Sequence, residues 1–293
     1  MPKSQRVLYE RFLDLHRQPG GFVLPNAWDG LSALLLKDAG FQALGTSSAA
    51  LAFTLGRLDG RHAVSRDEHL AHAEFLNAVS DLPINGDFED GYGNTPDDVA
   101  ATVEKAIAAG LAGIGIEDTT GNTDKPLRDF DDAVARVAAA AKVAKGRIVL
   151  TGRTDNYIQG NPDLADTIKR LTAFAEAGAD VLYAPYPANM SDVAAIVKAV
   201  APKPVNVVVG TMEGAVPLAN LQSAGVKRVS MGVALYMRVM GDLKIAATQL
   251  ADGDTARSSE GLAFREAATL IKSIGCDGLL VGRGPSLRQA NPF

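Results

Sequence analysis

The sequence predicts an α/β fold, a closed (β/α)8 or TIM barrel with one additional helix at its C-terminal end. Three observations predict it. A chain of 293 residues is an ordinary length for such a barrel, which needs about 250 residues. Apolar, strand-like runs alternate with Ala- and Leu-rich helical stretches, and the alternation repeats eight times. A recurring Ala-Gly pair, at Ala39-Gly40, Ala109-Gly110, Ala177-Gly178 and Ala224-Gly225, places a glycine just past a helix end, where a left-handed residue closes the helix before the next strand. A doubly wound open sheet is the alternative for such an alternation, but it often opens on a glycine-rich GxGxxG turn. Here the first turn reads Pro25-Asn26-Ala27-Trp28-Asp29-Gly30.

In chain order, Met1 to Gln18 is charged and amphipathic. The first strand, Phe22 to Pro25, is followed by a helix from Gly30 to Asp38. Gln42 to Gly45 leads through a long loop to a helix from Ser65 to Val79, and Leu82 to Asp87 leads to Thr95 to Ala109. Gly113 to Glu117 precedes Asp129 to Ala144, and Arg147 to Gly152 precedes Pro162 to Ala177. The last three units pair Asp180 to Ala184 with Ser191 to Val200, Val205 to Val209 with Val216 to Ser223, and Arg228 to Met231 with Ala234 to Leu250. One further helix is expected over Thr255 to Ser273, before a Gly-, Pro- and Arg-containing tail. The expected organisation is a catalytic barrel over residues 1–254 and a C-terminal helix and tail over 255–293, packing on a neighbouring subunit.

Hydrophobic residues make up 47% of the chain and aromatics only 6%, so the core is to be built from Ala, Val, Leu and Ile, as helices on a parallel sheet require. A net charge of −5 without a long basic run argues against a nucleic-acid partner. Small anionic substrates remain compatible if a metal or local arginines reverse the field inside a pocket. The single cysteine, Cys276, excludes an intrachain disulfide and a Cys-based zinc site. The chain carries no apolar leader pattern and no membrane-length apolar run, so a cytoplasmic protein without a membrane partner is expected.

In such a barrel the active site lies at the C-terminal ends of the strands. Those positions hold Asn26, then Thr46-Ser47-Ser48, Asp87 and Glu89, Glu117-Asp118, Arg153 and Asp155, Tyr183, Asn206 and Ser230. Acids on the third and fourth strands face an arginine on the fifth and hydroxyls on the second. Clustered carboxylates repel unless a hard divalent cation such as Mg²⁺ neutralises them, and an arginine opposite would hold an anionic substrate. A bland reading stands beside this one: a solvated acidic turn in which Gly91 and Gly93 supply positive φ, with Arg153 merely ion-paired to Glu117 or Asp155. No strand ends in the lysine that Schiff-base chemistry needs. The four histidines, His16, His62, His69 and His72, lie on early helices and loops. Only His62 is placed to approach the mouth, and His69 and His72 read as surface residues.

The ordered set Pro25-Asn26-Ala27-Trp28-Asp29, Ala39-Gly40-Phe41 leading to Gly45-Thr46-Ser47-Ser48, Asp87-Phe88-Glu89-Asp90-Gly91-Tyr92-Gly93, Ile116-Glu117-Asp118, Gly152-Arg153-Thr154-Asp155 and Pro204-Val205-Asn206-Val207 resembles the isocitrate lyase and phosphoenolpyruvate mutase superfamily, in particular its short single-domain members. The resemblance covers roughly residues 20 to 250. It implies a last helix exchanged between subunits, a homodimer or homotetramer, and a Mg²⁺-stabilised enolate made from a 2-oxo acid, with Mn²⁺ as a substitute. By position it implies Asp87 as direct metal ligand, with Asp59, Glu89 and Glu117 holding the metal's waters. Gly45, Thr46, Ser47, Arg153 and Asn206 are implied as substrate contacts.

The loop after the fourth strand departs from its relatives. Isocitrate and methylisocitrate lyases carry Lys-Lys-Cys-Gly-His there, whereas this chain reads Asp118-Thr119-Thr120-Gly121-Asn122-Thr123-Asp124-Lys125-Pro126, which argues against both activities. The mutase pattern is also broken, with Thr119 at the position of its first lysine, and the sixth strand offers Pro185 where relatives place a His or Glu. Arg153, Glu117, Asn122 and Lys125 are the catalytic candidates. The expected activity is that of a Mg²⁺-dependent lyase on a small 2-oxo or 2-hydroxy di- or tricarboxylate, a decarboxylase or C–C lyase. The alternatives are C–P chemistry, as in phosphonopyruvate cleavage or mutation, and a barrel that binds 2-oxo acids without turnover.

Overall fold

The computed structural model describes residues 3–60, 62–209 and 216–273. Eight parallel strands run β1 (Phe22–Leu24), β2 (Leu44–Gly45), β3 (Ile84–Asp87), β4 (Gly113–Glu117), β5 (Val149–Arg153), β6 (Val181–Tyr183), β7 (Val205–Val208) and β8 (Arg228–Ser230). Each pairs with its sequence neighbour from β2 to β8, and β8 pairs back to β1. The ring closes between β1 and β2 through a single bridge, Asn26 to Gly45, where the Gly45 amide donates to Pro25 O and the Gly45 carbonyl accepts from Ala27 N. A side chain at Gly45 would place its Cβ 2.8 Å from the Asn26 amide nitrogen, so closure requires glycine here.

The eight expected helices are present: α2 (Gly30–Asp38), α4 (Arg66–Ser80), α5 (Pro96–Ala108), α6 (Phe130–Ala144), α7 (Leu164–Ala177), α8 (Met190–Val200), α9 (Leu218–Ser223) and α10 (Ala234–Ala251). Gly40, Gly110, Gly178 and Gly225 follow helices with φ between 87° and 111°, the conformation that the Ala-Gly pairs predict. Ser65 and Thr95 cap α4 and α5 in reciprocal boxes with Glu68 and Asp98. Three elements differ from expectation. The charged N-terminus forms α1 (Gln5–Arg17), and the loop after β2 contains α3 (Ser48–Thr54), capped by Ser47. The single helix expected over Thr255 to Ser273 is instead a 3-10 turn at Arg257–Ser259 and α11 (Phe264–Lys272). Ser258, Ser259 and Gly261 interrupt it, being residues that favour turns over helix interiors.

The strand period of two divides the barrel wall. Outward residues such as Ile84, Ile114, Ile116, Leu150, Leu182, Val205, Val207 and Val229 are buried with the helices in one apolar cluster. Below, α1 covers the N-terminal end: Leu8, Tyr9, Phe12 and Leu15 cluster with Ala43, Ala112, Val149 and Val181 at the strand starts. Phe12 enters because Gly113 leaves it room, a Cβ there lying 2.5 Å from the ring. Most inward residues above this floor, among them Asn85, Asp87, Thr151, Arg153, Asn206 and Ser230, are polar, and they position the site. At the far end α11 packs against α2 of the same chain, while Leu243, Ile245, Leu250 and Phe264 remain exposed. Cys276 and the tail lie outside the described residues. Among the described residues no helix is long and apolar enough to cross a membrane.

Candidate active site

Two chambers open at the C-terminal ends of the strands and meet at Ser48, Asp59, Arg153 and Ile158. The outer one, about 470 Å³, is lined by Asp59, His62, Glu89, Asp90, Glu117, Asp155 and the loop from Thr119 to Thr123. The inner one, about 140 Å³, descends between Ser47, Asp87, Arg153, Tyr183, Tyr186, Asn206 and Ser230 to Arg228.

Asp87 ends β3 with its amide donating to the Thr46 hydroxyl at 2.8 Å. One carboxylate oxygen accepts from the Ser48 amide and hydroxyl at 3.0 and 3.1 Å, and the other from Arg153 Nη1 at 3.3 Å. Beyond it the chain turns sharply, with Glu89 at φ 45°, Gly91 at 87°, Tyr92 at 55° and Gly93 at 131°. The glycines take the conformation that the sequence suggests for an acidic turn, yet the turn is not solvated. Glu89 is only 6% exposed and Asp90 2%, and the strained φ at Glu89 is held by bonds to its carboxylate from His62 N and Tyr92 Oη.

Arg153 ends β5 and lies between three acids. Its Nε and Nη2 fork onto Asp155 at 2.6 and 2.9 Å, and Nη1 reaches Glu117 at 3.0 Å as well as Asp87. Burial alone would weaken its charge, but Asp155, Glu117 and Asp87 more than compensate and hold its pKa well above the ordinary value. One guanidinium does not neutralise the wall. Burial pushes Glu117 well above the carboxylate range against the pull of Arg153. Burial and the charge of Asp87 raise Asp59, and burial raises Glu89. Glu117 also accepts from the Thr119 hydroxyl at 2.7 Å.

Among the described residues no three His, Cys, Asp or Glu side chains converge into a ready metal cage. The donor set suits a different kind of ion. Four carboxylates spread over the two adjoining chambers, three of them with their charged forms penalised, leave excess negative charge for a hydrated hard cation, which keeps several waters and takes one or two carboxylates. Asp87, Asp59, Glu89 and Glu117 therefore fit Mg²⁺ or Mn²⁺.

The remaining candidates divide. Thr46, Ser47, Arg153 and Asn206 line the inner chamber and Asn122 the outer one. The Gly45 and Thr46 amides are taken up by Pro25 O and Asn85 O, so neither is free for a substrate carboxylate. Lys125 is not brought to either chamber; its amine pairs with Asp129 at 2.6 Å on an exposed part of the loop. The loop is closed at its neck, where Thr120 N donates to Pro126 O and Arg128 N to Asp118 O. His62 does reach the mouth, 2.7 Å from Asp90. The surface reading of His69 and His72 is overturned: His69 is 2% exposed, stacked near Phe88 and Tyr92, and His72 bonds Trp28 O at 2.9 Å. The face of α4 that carries them packs on the barrel, which their spacing alone does not reveal.

Sequence reasoning passed over Ser48, Tyr186 and Arg228. Ser48 was visible as a strand-end hydroxyl. The other two carried no signal, since Tyr186 lies beyond its strand and Arg228 at a strand's start.

The description of a family model, phosphoenolpyruvate phosphomutase, matches residues 12–251. A crystal structure of a candidate lyase/mutase from Burkholderia cenocepacia J2315 superposes with a TM-score of 0.87 at 42% identity, over 90% of this chain and 95% of that one. An uncharacterised protein of Mycobacterium tuberculosis H37Rv is 34% identical over 83% of this chain and 90% of its own length. Oxaloacetate decarboxylase of Paraburkholderia xenovorans LB400 is 33% identical over 68% of this chain and 67% of the enzyme. The chain belongs to the phosphoenolpyruvate phosphomutase family.

Proposed function

We propose that this protein is a divalent-metal-dependent lyase that cleaves a small 2-oxo or 2-hydroxy di- or tricarboxylate, by decarboxylation or C–C scission. The observation that carries the reading is the charge imbalance at the mouth: Asp59, Glu89 and Glu117 line the outer chamber and Asp87 the inner one beside it, and among the described residues Arg153 is the guanidinium that pairs with Asp87 and Glu117. Asp87, with Asp59, Glu89 and Glu117 beside it, would hold Mg²⁺ or Mn²⁺, which would supply Lewis-acid polarisation of a 2-oxo group. Arg153, fixed by its fork on Asp155, holds the substrate's anionic oxygen. Ser47 and Asn206 orient the carboxylate at the inner chamber. The loop around Asn122 covers the outer one and limits water.

Purified protein with Mg²⁺ and a panel of oxaloacetate, alkylmalates, methylisocitrate and phosphonopyruvate, followed by pyruvate release, tests this directly. Turnover of a carboxylate substrate that stops on chelation is expected. Binding of 2-oxo acids with no turnover of any of them would sink the enzyme reading. The exposed apolar residues of α10 and α11 support assembly as a homodimer or homotetramer. A chain ending after Leu250 should then sediment as a smaller species, and an unchanged profile would count against it.

A further inference from the structure

Arg228 begins β8 at the floor of the inner chamber, 2% exposed. Among the described residues no carboxylate pairs with it, and burial alone pushes its pKa down to about 10. Its contacts are all neutral: Nε donates to Asn206 Oδ1 at 2.8 Å, Nη2 to Thr151 Oγ1 at 3.0 Å, and Nη1 faces His16 Nε2 at 3.4 Å. His16 cannot share the charge. Its Nδ1 bonds Phe12 O, and burial together with Arg228 lowers its pKa to about 3, so it stays neutral. A buried cation without a counter-ion is costly unless something supplies the missing charge, and the chamber that Arg228 lines is open to a ligand that could supply it.

The arrangement also decides which way Asn206 points. A guanidinium nitrogen can only donate, so the atom facing Arg228 Nε must be the amide oxygen. That turns the Asn206 NH₂ toward Ser230 Oγ, 3.0 Å away, and leaves one of its N–H groups without an acceptor among the described residues. Ser230, which accepts from Asn206, keeps its own hydroxyl proton to donate. Both residues line the inner chamber beside Tyr183, whose hydroxyl also has no protein partner among the described residues. The floor therefore presents donors and positive potential, opposite in sign to the acid wall above.

We infer that Arg228 is a positioning residue that makes the inner chamber an anion subsite, orienting Asn206 and Ser230 to receive one carboxylate of the ligand. This deepens the proposed function and rests on it for the identity of that ligand as substrate.

Calorimetric titration of the full chain in Mg²⁺ buffer with succinate, and with succinamate in which one carboxylate is an amide, tests the inference by binding alone. Wild type is expected to prefer succinate by at least about tenfold. Arg228→Met should erase the preference, and Arg228→Lys should restore part of it. Asn206→Asp places a carboxylate directly on Arg228 Nε and should also erase the preference while raising the melting temperature. This second variant keeps the test open if Arg228→Met does not fold. A merely structural Arg228 predicts lower melting temperatures with the preference intact. Equal binding of the two ligands by wild type, or an unchanged preference in folded Asn206→Asp, would overturn the inference. No turnover of any acid in the panel with the succinate preference intact would remove the proposed reaction and leave the subsite standing.

Discussion

Glu89 and Asp90 are chain neighbours, equally buried, and electrostatically opposite. Glu89 turns into the outer chamber beside Asp59 and Asp87, and burial raises its pKa. Asp90 turns the other way. Burial pushes it up too, but bonds from His62 and Arg128 win and hold it below the usual range, with Arg136 donating to its carbonyl at 3.1 Å. Asp118 is likewise supplied with partners, accepting from Thr154, from Asp155 N and from Arg170, although burial still raises its pKa. The barrel mouth thus contains a ring of acids that the protein neutralises itself and an inner set that it leaves short of positive charge. The first set holds loops together; the second is the set that the proposed function assigns to a cation from solution.

The largest effect that would break this contrast is on turnover. Asp87→Ala removes the acid at the centre of the set that is left short of positive charge, and activity on whichever panel acid is turned over should fall by about a thousandfold or more. The fold should survive, because the variant relieves repulsion among Asp59, Glu117 and Asp155. Near wild-type rates of pyruvate release in this variant would refute the site.

Asp90→Ala should do the reverse. It takes from Arg136, 2% exposed at the side chain, its one carboxylate partner among the described residues, and from Arg128 one of two, with Asp132 remaining, and breaking a buried pair from one side costs about 3–5 kcal/mol. Denaturant unfolding measures it. A loss below about 1 kcal/mol would mean that Asp90 belongs with the set left short of positive charge.

The pH dependence sharpens the comparison further because the two neighbours have opposite signs. Glu89 binds its proton more tightly folded than unfolded, so its contribution to stability falls as pH rises from the ordinary carboxylate value of about 4 through its raised folded value. Asp90 is depressed, so its stabilisation is present above about 4 and is lost as pH falls through the folded value. Without divalent ions, Glu89→Gln should raise the melting temperature at pH 7 by about 2 °C and leave it unchanged near pH 4. Asp90→Asn should lower it at pH 7, with the deficit shrinking toward low pH. Added Mg²⁺ should stabilise wild type at pH 7 more than it stabilises Glu89→Gln. Parallel melting curves for both variants across pH would erase the distinction.

Much of this was legible in sequence because it is local. The Ala-Gly pairs specify helix ends through one residue's φ, and Asp87, Glu117 and Arg153 are found by counting to the ends of strands. What was not legible depends on partners far along the chain. Arg228 takes its meaning from His16, Thr151 and Asn206, which come from a helix and two other strands, and a lone arginine at a strand's start reads as surface. His69 and His72 were misplaced because a spacing of three identifies a shared helix face without saying what covers it. The Gly45 and Thr46 amides looked available until barrel closure and the pairing with β3 used them.

The smallest expected effect concerns the loop from Asp118 to Pro126, where composition and geometry disagree most. Lys125 is the loop's only cation, which makes it attractive as an acid or a substrate contact. Its amine instead pairs with Asp129 four residues on, an exposed pair of the kind worth at most about 1 kcal/mol. Asn122 carries no charge but lines the outer chamber, held in a tight turn by bonds to Thr120 Oγ1 and Asp124 N. Lys125→Ala should therefore change kcat/KM by about twofold or less, and Asn122→Ala by about tenfold, since it removes a polar contact facing the substrate. A large loss from Lys125→Ala alone would require the loop to swing its amine inward during turnover. The acid wall would then receive its missing positive charge partly from the protein, and the division between the two sets of acids would hold only for the open enzyme.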